Sequence, residues 1–264
     1  MVLSRRLLFR SVIWEIARPR HPLTAGHILI RLSDPSTEFT ESSAADWLFC
    51  HNLARVALDN VLGAKRCAVM FAHRWHPLGS AIGEPVAESS TPTFHLFGRW
   101  EAETTTPGRQ LRLPAHHRVA VPEDSLDIVD ARIRESLRVA SAGIPKAPTG
   151  QVGSAPEAAS GVVPAQVPLP LVATIDAARH HRVIEPASGA ASISQVLPGE
   201  LVAVGAALGA LPLASGLSGF SCVAVEGGNL DPRLRIHAVG RSAAEEANPM
   251  VEVLNLPEVS LALL

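Results

Sequence analysis

Apolar and polar positions alternate along several short stretches of the chain, and in a few longer ones the repeat becomes helical. Leu7 to Ala17 predicts a strand, with Val12, Ile13, Trp14 and Ile16 suited to a pleated surface and Pro19 and Pro22 ending it. Thr24-Ala25-Gly26-His27-Ile28-Leu29-Ile30 predicts the next strand, entered through a glycine turn. A helix is expected from about Ser43 to Leu62. Ser42 or Ser43 would cap it, Asp46 lies in its first turn, and Gly63 stands just past its end. Its Trp47, Cys50, Ala54, Ala57, Leu58 and Val61 fall on one face. Arg66 to Phe71 predicts a short buried strand, followed by a loop holding His73, His76, Gly79 and Gly83. Then comes Ser90-Thr91-Pro92-Thr93-Phe94-His95-Leu96-Phe97-Gly98-Arg99-Trp100, a strand with a polar edge.

Gln110 to Pro114 and Arg118 to Val121 predict a hairpin, and Asp124 to Val139 a polar helix with acids early and arginines late, as the helix dipole favours. Ser141 to Pro170 turns to Ala, Gly, Pro, Ser and Val, the composition of a linker. Beyond it, His181 to Pro186 predicts a strand. Pro198 opens a helix that runs to Leu211, Gly219 to Val225 is a strand, and Gly227-Gly228-Asn229 is a turn. Leu234 to Val239 follows as a strand, and the alternating tail from Met250 to Leu264 predicts edge strands.

The second half therefore repeats the first: strand with histidine, helix, strand, glycine turn, strand with histidine. Arg233-Leu234-Arg235-Ile236-His237-Ala238-Val239-Gly240-Arg241 echoes the stretch around His95, each with a His, two apolar residues, a Gly and an Arg in order. His27 and His95 are 68 positions apart, His181 and His237 are 56 apart, and the longer loop around His73 to Gly83 takes up the difference. Unequal spacings of this kind suit an old duplication better than a solenoid. Each pair of histidines is expected to meet across adjacent strands.

Composition narrows the chemistry. The chain has 264 residues, 47% hydrophobic and 18% charged, enough for a packed core. A net charge of -2 gives no basic stripe for nucleic acid. Lysine occurs only at Lys65 and Lys146, so positive charge is nearly all arginine, a planar donor suited to phosphate. Cys50, Cys67 and Cys222 are odd in number and far apart, which signals neither zinc nor a disulfide framework and fits a reducing cytoplasm. Arg10 and Glu15 break the apolar start before it could act as a signal segment, and no window reaches the roughly 18 uncharged apolar residues of a membrane span. A cytoplasmic protein is expected. His73-x-x-His76 lacks a third ligand at metal spacing, and the doublets His116-His117 and His180-His181 would point to opposite faces if extended. No phosphate-binding glycine loop or nucleophile elbow is present, and no cofactor or metal is expected.

With these elements in place, the chain resembles the histidine-triad (HIT) superfamily in a fused two-copy form. Gly26-His27-Ile28-Leu29-Ile30 matches the family's first histidine strand, and Thr91-Pro92-Thr93-Phe94-His95-Leu96-Phe97-Gly98-Arg99 occupies its triad strand. In the second half, His181 to Pro186 and Arg233-Leu234-Arg235-Ile236-His237 do the same, and Gly228-Asn229 stands where the family often has Gly-Gln. The resemblance covers roughly Leu7 to Trp100 and His180 to Arg241.

It implies an α+β fold of two HIT-like halves, each an antiparallel sheet with a long helix, joined as an intrachain pseudo-dimer. Residues 1–140 would form the first domain, 141–170 the linker and 171–264 the second domain. A fused pair buries what single domains bury by dimerising, which suits a monomer. In the family the middle triad histidine attacks the α-phosphorus; here that position is Thr93 or Arg235, and the first triad position is Thr91 or Arg233. Neither threonine without a base nor arginine is a nucleophile, so the covalent route is not expected. His95 and His237 remain as the candidate acid or base.

The other expected contacts to substrate are His27, Thr91, Thr93, Arg99, His181, Asn229, Arg233 and Arg235, with Arg233 and Arg235 as a phosphate clamp. The competing reading pairs those arginines with Asp231 and Glu226. Two functions follow. One is an enzyme, present or former, acting on a nucleotide or sugar phosphate, either as hydrolase or nucleotidyltransferase. The other is a non-catalytic scaffold that binds a small ligand or a partner protein.

Overall fold

Strands with two distinct faces need cover on both, and here they form one sheet between two layers of helix. The computed structural model describes residues 6–73, 93–101, 103–143, 168–176, 180–214, 216–226, 232–242 and 254–264. The strands are β1 (Leu7–Arg10), β2 (Trp14–Ala17), β3 (His27–Leu32), β4 (Arg66–His73), β5 (Thr93–Arg99), β6 (Leu171–Asp176), β7 (His181–Glu185), β8 (Gly219–Val225) and β9 (Arg235–Arg241). They pair antiparallel in the order β1-β2-β3-β5-β4-β8-β9-β7-β6. The helices are α1 (Glu41–Leu62), α2 (Pro107–Arg112), α3 (Glu123–Ala142), α4 (Pro198–Ala210) and α5 (Pro257–Leu263). The fold class is α+β. No helix among the described residues is long and apolar enough to cross a membrane.

Helix α1 starts one turn earlier than its apolar pattern begins. Thr40 is the cap: its Oγ1 accepts from Ser43 N at 3.4 Å while Ser43 Oγ accepts from Thr40 N at 2.8 Å, a reciprocal capping box. Gly63, at φ 72°, ends the helix in the left-handed conformation that glycine adopts without strain. Of the expected face, Trp47, Cys50, Ala54, Ala57 and Leu58 are buried against the sheet and Val61 is half-buried, with α3 and α4 packed alongside. Each large side chain there contributes about 1.5–3 kcal/mol by leaving water.

The other face of the sheet carries Ala68, Met70 and Phe97 in one half and Val223, Val225 and Val239 in the other. Leu111 of α2, together with Leu254, Val259 and Leu263, covers them. Because side chains alternate along a strand, His95 shares the face of Phe97, and His237 that of Val239.

Four expectations change. The strand Leu7 to Ala17 is two strands, since Ser11 to Ile13 turns where Asp46 of α1 takes both Ser11 Oγ at 2.7 Å and Ile13 N at 2.8 Å. Gln110 to Pro114 is not a hairpin arm. Thr106 caps a helix there, accepting from Arg109 N at 3.3 Å, with Pro107 in its first turn. His116 and His117 lie in a short 3-10 turn rather than an extended segment. Residues 250–253 of the expected edge strands lie outside the described residues, and from Leu254 on the tail forms α5 instead, again opened by a proline, Pro257. Most of the expected linker lies outside the described residues. β6, unmarked in the sequence pattern, extends the sheet at the outer edge of β7.

Candidate functional site

The two histidine pairs form as their strand positions require. β3 and β5 run side by side with His27 opposite Phe97 and Leu29 opposite His95. His27 Nε2 and His95 Nδ1 lie 3.1 Å apart. In the second half, β7 and β9 place His181 opposite Val239 and Val183 opposite His237, and His181 Nε2 lies 3.1 Å from His237 Nδ1. His95 also faces Met70 on β4, His237 faces Val223 on β8, and Met70 and Val223 face each other where β4 meets β8. Three strand spacings separate β5 from β9, roughly 14 Å, so the pairs are two separate centres.

Proton positions in the first pair follow from its partners. Leu23 N donates to His27 Nδ1 at 3.1 Å. Burial, then His95 and Arg18, hold His27 well below its ordinary pKa, so it is neutral near pH 7. A neutral imidazole that accepts at Nδ1 carries its proton on Nε2. His27 therefore donates to His95 Nδ1, and His95, whose pKa burial lowers to about 3, keeps its own proton on Nε2. The outward nitrogen of this pair is a donor. Behind it, Arg18 donates to His27 O at 2.5 Å and to Asp130 Oδ1 of α3 at 2.6 Å.

The second pair opens on a different surrounding. His237 is buried, and burial, followed by His181 and Arg235, lowers its pKa to about 3. Its Nε2 makes no hydrogen bond among the described residues; Glu258 Oε1 of α5 lies 3.5 Å away. A cavity of about 120 Å³ adjoins it, lined by Val183, Glu185, Arg235, His237, Leu256 and Glu258 among others. Glu185 of β7 accepts from Arg233 Nη1 at 2.6 Å and from Arg235 Nε at 3.0 Å. Arg233 and Arg235, expected as a phosphate clamp, thus both donate to one carboxylate, a pairing with an acid of the kind the competing reading expected. Glu185 was not among the acids the sequence offered; of those, Glu226 is bonded to Arg55, and Asp231 lies outside the described residues.

In the first half, Arg31 stands at the strand position that Glu185 holds in the second, two residues past the one facing its histidine. Arg31 donates to Glu15 Oε2 at 3.2 Å, and half-buried Thr93 lies opposite it on β5. Arg99 is at the other end of β5, buried, bonded to Glu103, and donating to Ala262 O of α5 at 3.0 Å. Thr91, Asn229 and His76 lie outside the described residues. Of the expected contact residues, Arg235 and His237 line one cavity, His181 reaches it only through His237 and Arg233 only through Glu185, while His27 and His95 meet in the other half with Thr93 two residues before His95 on β5.

Sequence reasoning missed Glu185 and Glu258. Glu185 was within reach, since it alternates with His181 and Val183 along one strand. Glu258 follows Pro257, a helix-start signal that the alternating apolar tail outweighed. No group of three or more His, Cys, Asp or Glu that could hold a metal occurs among the described residues.

No protein-family model matches the chain, and no curated protein does. Solved structures do. A Hit-like protein involved in cell-cycle regulation from Bartonella henselae matches with 16% identity over 51% of this chain and 88% of its own, at a TM-score of 0.36. A hypothetical histidine triad nucleotide-binding protein from Sulfolobus tokodaii matches with 13% identity over 51% and 84%, also at 0.36. A uridylyltransferase matches with 16% identity over 52% of this chain and 42% of its own, at 0.38. Over about half its length, this chain is similar to histidine-triad proteins and to a uridylyltransferase.

Proposed function

We propose that the chain is a histidine-triad-like protein built from two copies of one unit, and that its second copy binds the phosphate of a nucleotide or sugar phosphate. The observation that carries this is the shared register of the two histidine pairs. Outward from the Met70–Val223 pairing, the strands run β4, β5, β3, β2 on one side and β8, β9, β7, β6 on the other. A twofold relation through that pairing accounts for both sequences of strands, and α1 and α4 fill the same place in each. On this reading residues 1–140 and 171–264 are the two copies, and their union across β4 and β8 is an intrachain pseudo-dimer that suits a monomer.

Chemistry follows from the second pair. Arg235 supplies planar donors to the cavity, with Arg233 beside it on Glu185, and His237 presents a buried imidazole nitrogen there. Ligand pockets commonly measure about 300–1,000 Å³, so a cavity of about 120 Å³ takes a phosphate-sized group and leaves the remainder of a ligand outside. With Arg235 where the resemblance places the attacking histidine, a covalent nucleotidyl intermediate has no nucleophile. Any turnover would use water, with His237 moving the proton. The second reading, binding without turnover, is favoured by the same arginine and by the low pKa of His237, far beneath the value near 7 that suits a general base.

Incubation with dinucleoside polyphosphates, nucleoside phosphoramidates and sugar nucleotides, followed by product analysis, tests both. Turnover lost in His237→Ala supports the enzyme. Saturable binding lost in Arg235→Ala, without product, supports the binder. Absence of both turnover and binding overturns the proposal.

A further inference from the structure

A carboxylate of the chain itself lines the cavity beside His237. Glu258, the second residue of α5, places Oε1 3.5 Å from His237 Nε2 and 3.9 Å from Arg235 Nη1. These are the two groups that the proposed function assigns to an anion. Helix α5 does not rest there loosely. Leu254, Val259 and Leu263 are fully buried, and the backbone carbonyls of Leu261 and Ala262 accept from Arg66 Nη1 at 3.2 Å and Arg99 Nη1 at 3.0 Å. Asn255 Oδ1 accepts from Arg112 Nη2 at 3.1 Å. Gly108 of α2 lets the helix approach, since a Cβ there would come within 2.7 Å of Leu263 O. The carboxylate is therefore delivered by an anchored element, while its own side chain stays about one-third exposed, at 35%, and able to turn outward.

We infer that Glu258 is a built-in competitor for the anion site of the second half, occupying by its carboxylate the place that a ligand's phosphate must take. The inference rests on the reading of that site as a phosphate site. A phosphate entering between His237 and Arg235 would meet Glu258 at the same donors, and like charges so close repel. Binding then requires the Glu258 side chain to rotate away. The affinity of the site is set as much by this displacement as by the arginines, and only a ligand with further contacts outside the cavity gains enough to drive it.

The test is calorimetric titration of the full chain with AMP and with inorganic phosphate, comparing the unaltered protein with Glu258→Gln, which keeps shape and removes charge. The expected result is at least about tenfold tighter AMP binding by Glu258→Gln, with inorganic phosphate gaining as well, because the negative charge facing His237 is removed in both complexes while Glu185 stays on the arginines. Unfolding midpoints confirm that the variant is folded. Should Glu258→Gln fail to fold, Glu258→Asp, with a carboxylate one methylene shorter, is expected to tighten binding in the same direction. Equal or weaker binding in the folded variant overturns the inference and leaves the phosphate site standing. Absence of binding in both proteins overturns the inference together with the site it rests on.

Discussion

His27 Nε2 lies 3.1 Å from His95 Nδ1, and the direction of that hydrogen bond is fixed from behind by Leu23 N, which donates to His27 Nδ1. The pair is a one-way chain of donors ending at His95 Nε2. It joins backbone to side chain inside a sheet face from which water is excluded, so each link depends on the next.

Replacing His27 with leucine removes two bonds at once. Leu23 N–H and His95 Nδ1 would both be left buried without their partner, at about 1–3 kcal/mol each. His27→Leu is therefore expected to lose about 2–6 kcal/mol in urea unfolding. A loss below about 1 kcal/mol would mean that the two groups find other partners.

Acid should weaken the fold through the same residues. His51 on α1, His95 and His237 are each lowered to about 3 from 6.5, chiefly by burial. Between those values the unfolded chain binds protons that the folded one refuses. Stability therefore rises with pH across this window: the contribution is whole above 6.5 and drains away as pH falls toward 3. Each such histidine adds a slope of up to about 1.4 kcal/mol per pH unit. Urea midpoints at pH 7, 6 and 5 should fall steadily, and a flat or rising series would contradict neutral buried imidazoles.

Gly26 enters β3 at a close backbone crossing. A Cβ there would sit 2.6 Å from Gly98 O and 2.8 Å from the Trp100 ring, where Gly98 N already donates to Gly26 O at 3.0 Å. Gly26→Ala should cost about 1–3 kcal/mol, because the obstruction is backbone and cannot turn aside. At Gly63 a Cβ would meet nothing within 4 Å, so Gly63→Ala pays only for the left-handed φ of 72°, about 1 kcal/mol. Thermal unfolding of the two variants should rank them in that order.

Arg18 and Asp130 form an ion pair that is nearly dry, with side chains 3% and 7% exposed. Asp130→Ala strands a buried guanidinium behind His27, for an expected loss of about 3–5 kcal/mol. Chemical denaturation of that variant is the measurement. A loss close to zero would show that Arg18 escapes to water.

What the sequence could show was decided by range. The histidine pairs were legible because each histidine sits in a period-two strand whose neighbours fix its face. The strand order then brings His27 to His95 and His181 to His237. Helix α1 was legible from its apolar face, yet Thr40 displaced Ser42 and Ser43 as its cap, because the box depends on which hydroxyl reaches back. The turn at Ser11 to Ile13 was hidden behind two strong strand formers, since its stabilising acid, Asp46, is remote in the chain. The same holds at the site. Arg233 and Arg235 were read as one face of a strand, but β9 begins only at Arg235 and Arg233 lies in the bend before it. The carboxylate that both reach, Glu185, comes from β7, and the one facing His237 comes from a helix mistaken for strands. Partners contributed by other elements leave no mark in local periodicity.

The central claim is that the second histidine pair, and not merely its fold, is where a phosphate binds. Nitrogen-detected magnetic resonance of the histidine rings during an AMP titration addresses it most directly. The account requires the His237 signals to move and saturate, while those of His51, buried on the opposite face against Trp47, stay fixed. If the His237 signals remain still through millimolar AMP, or move no more than those of His51, phosphate does not bind there.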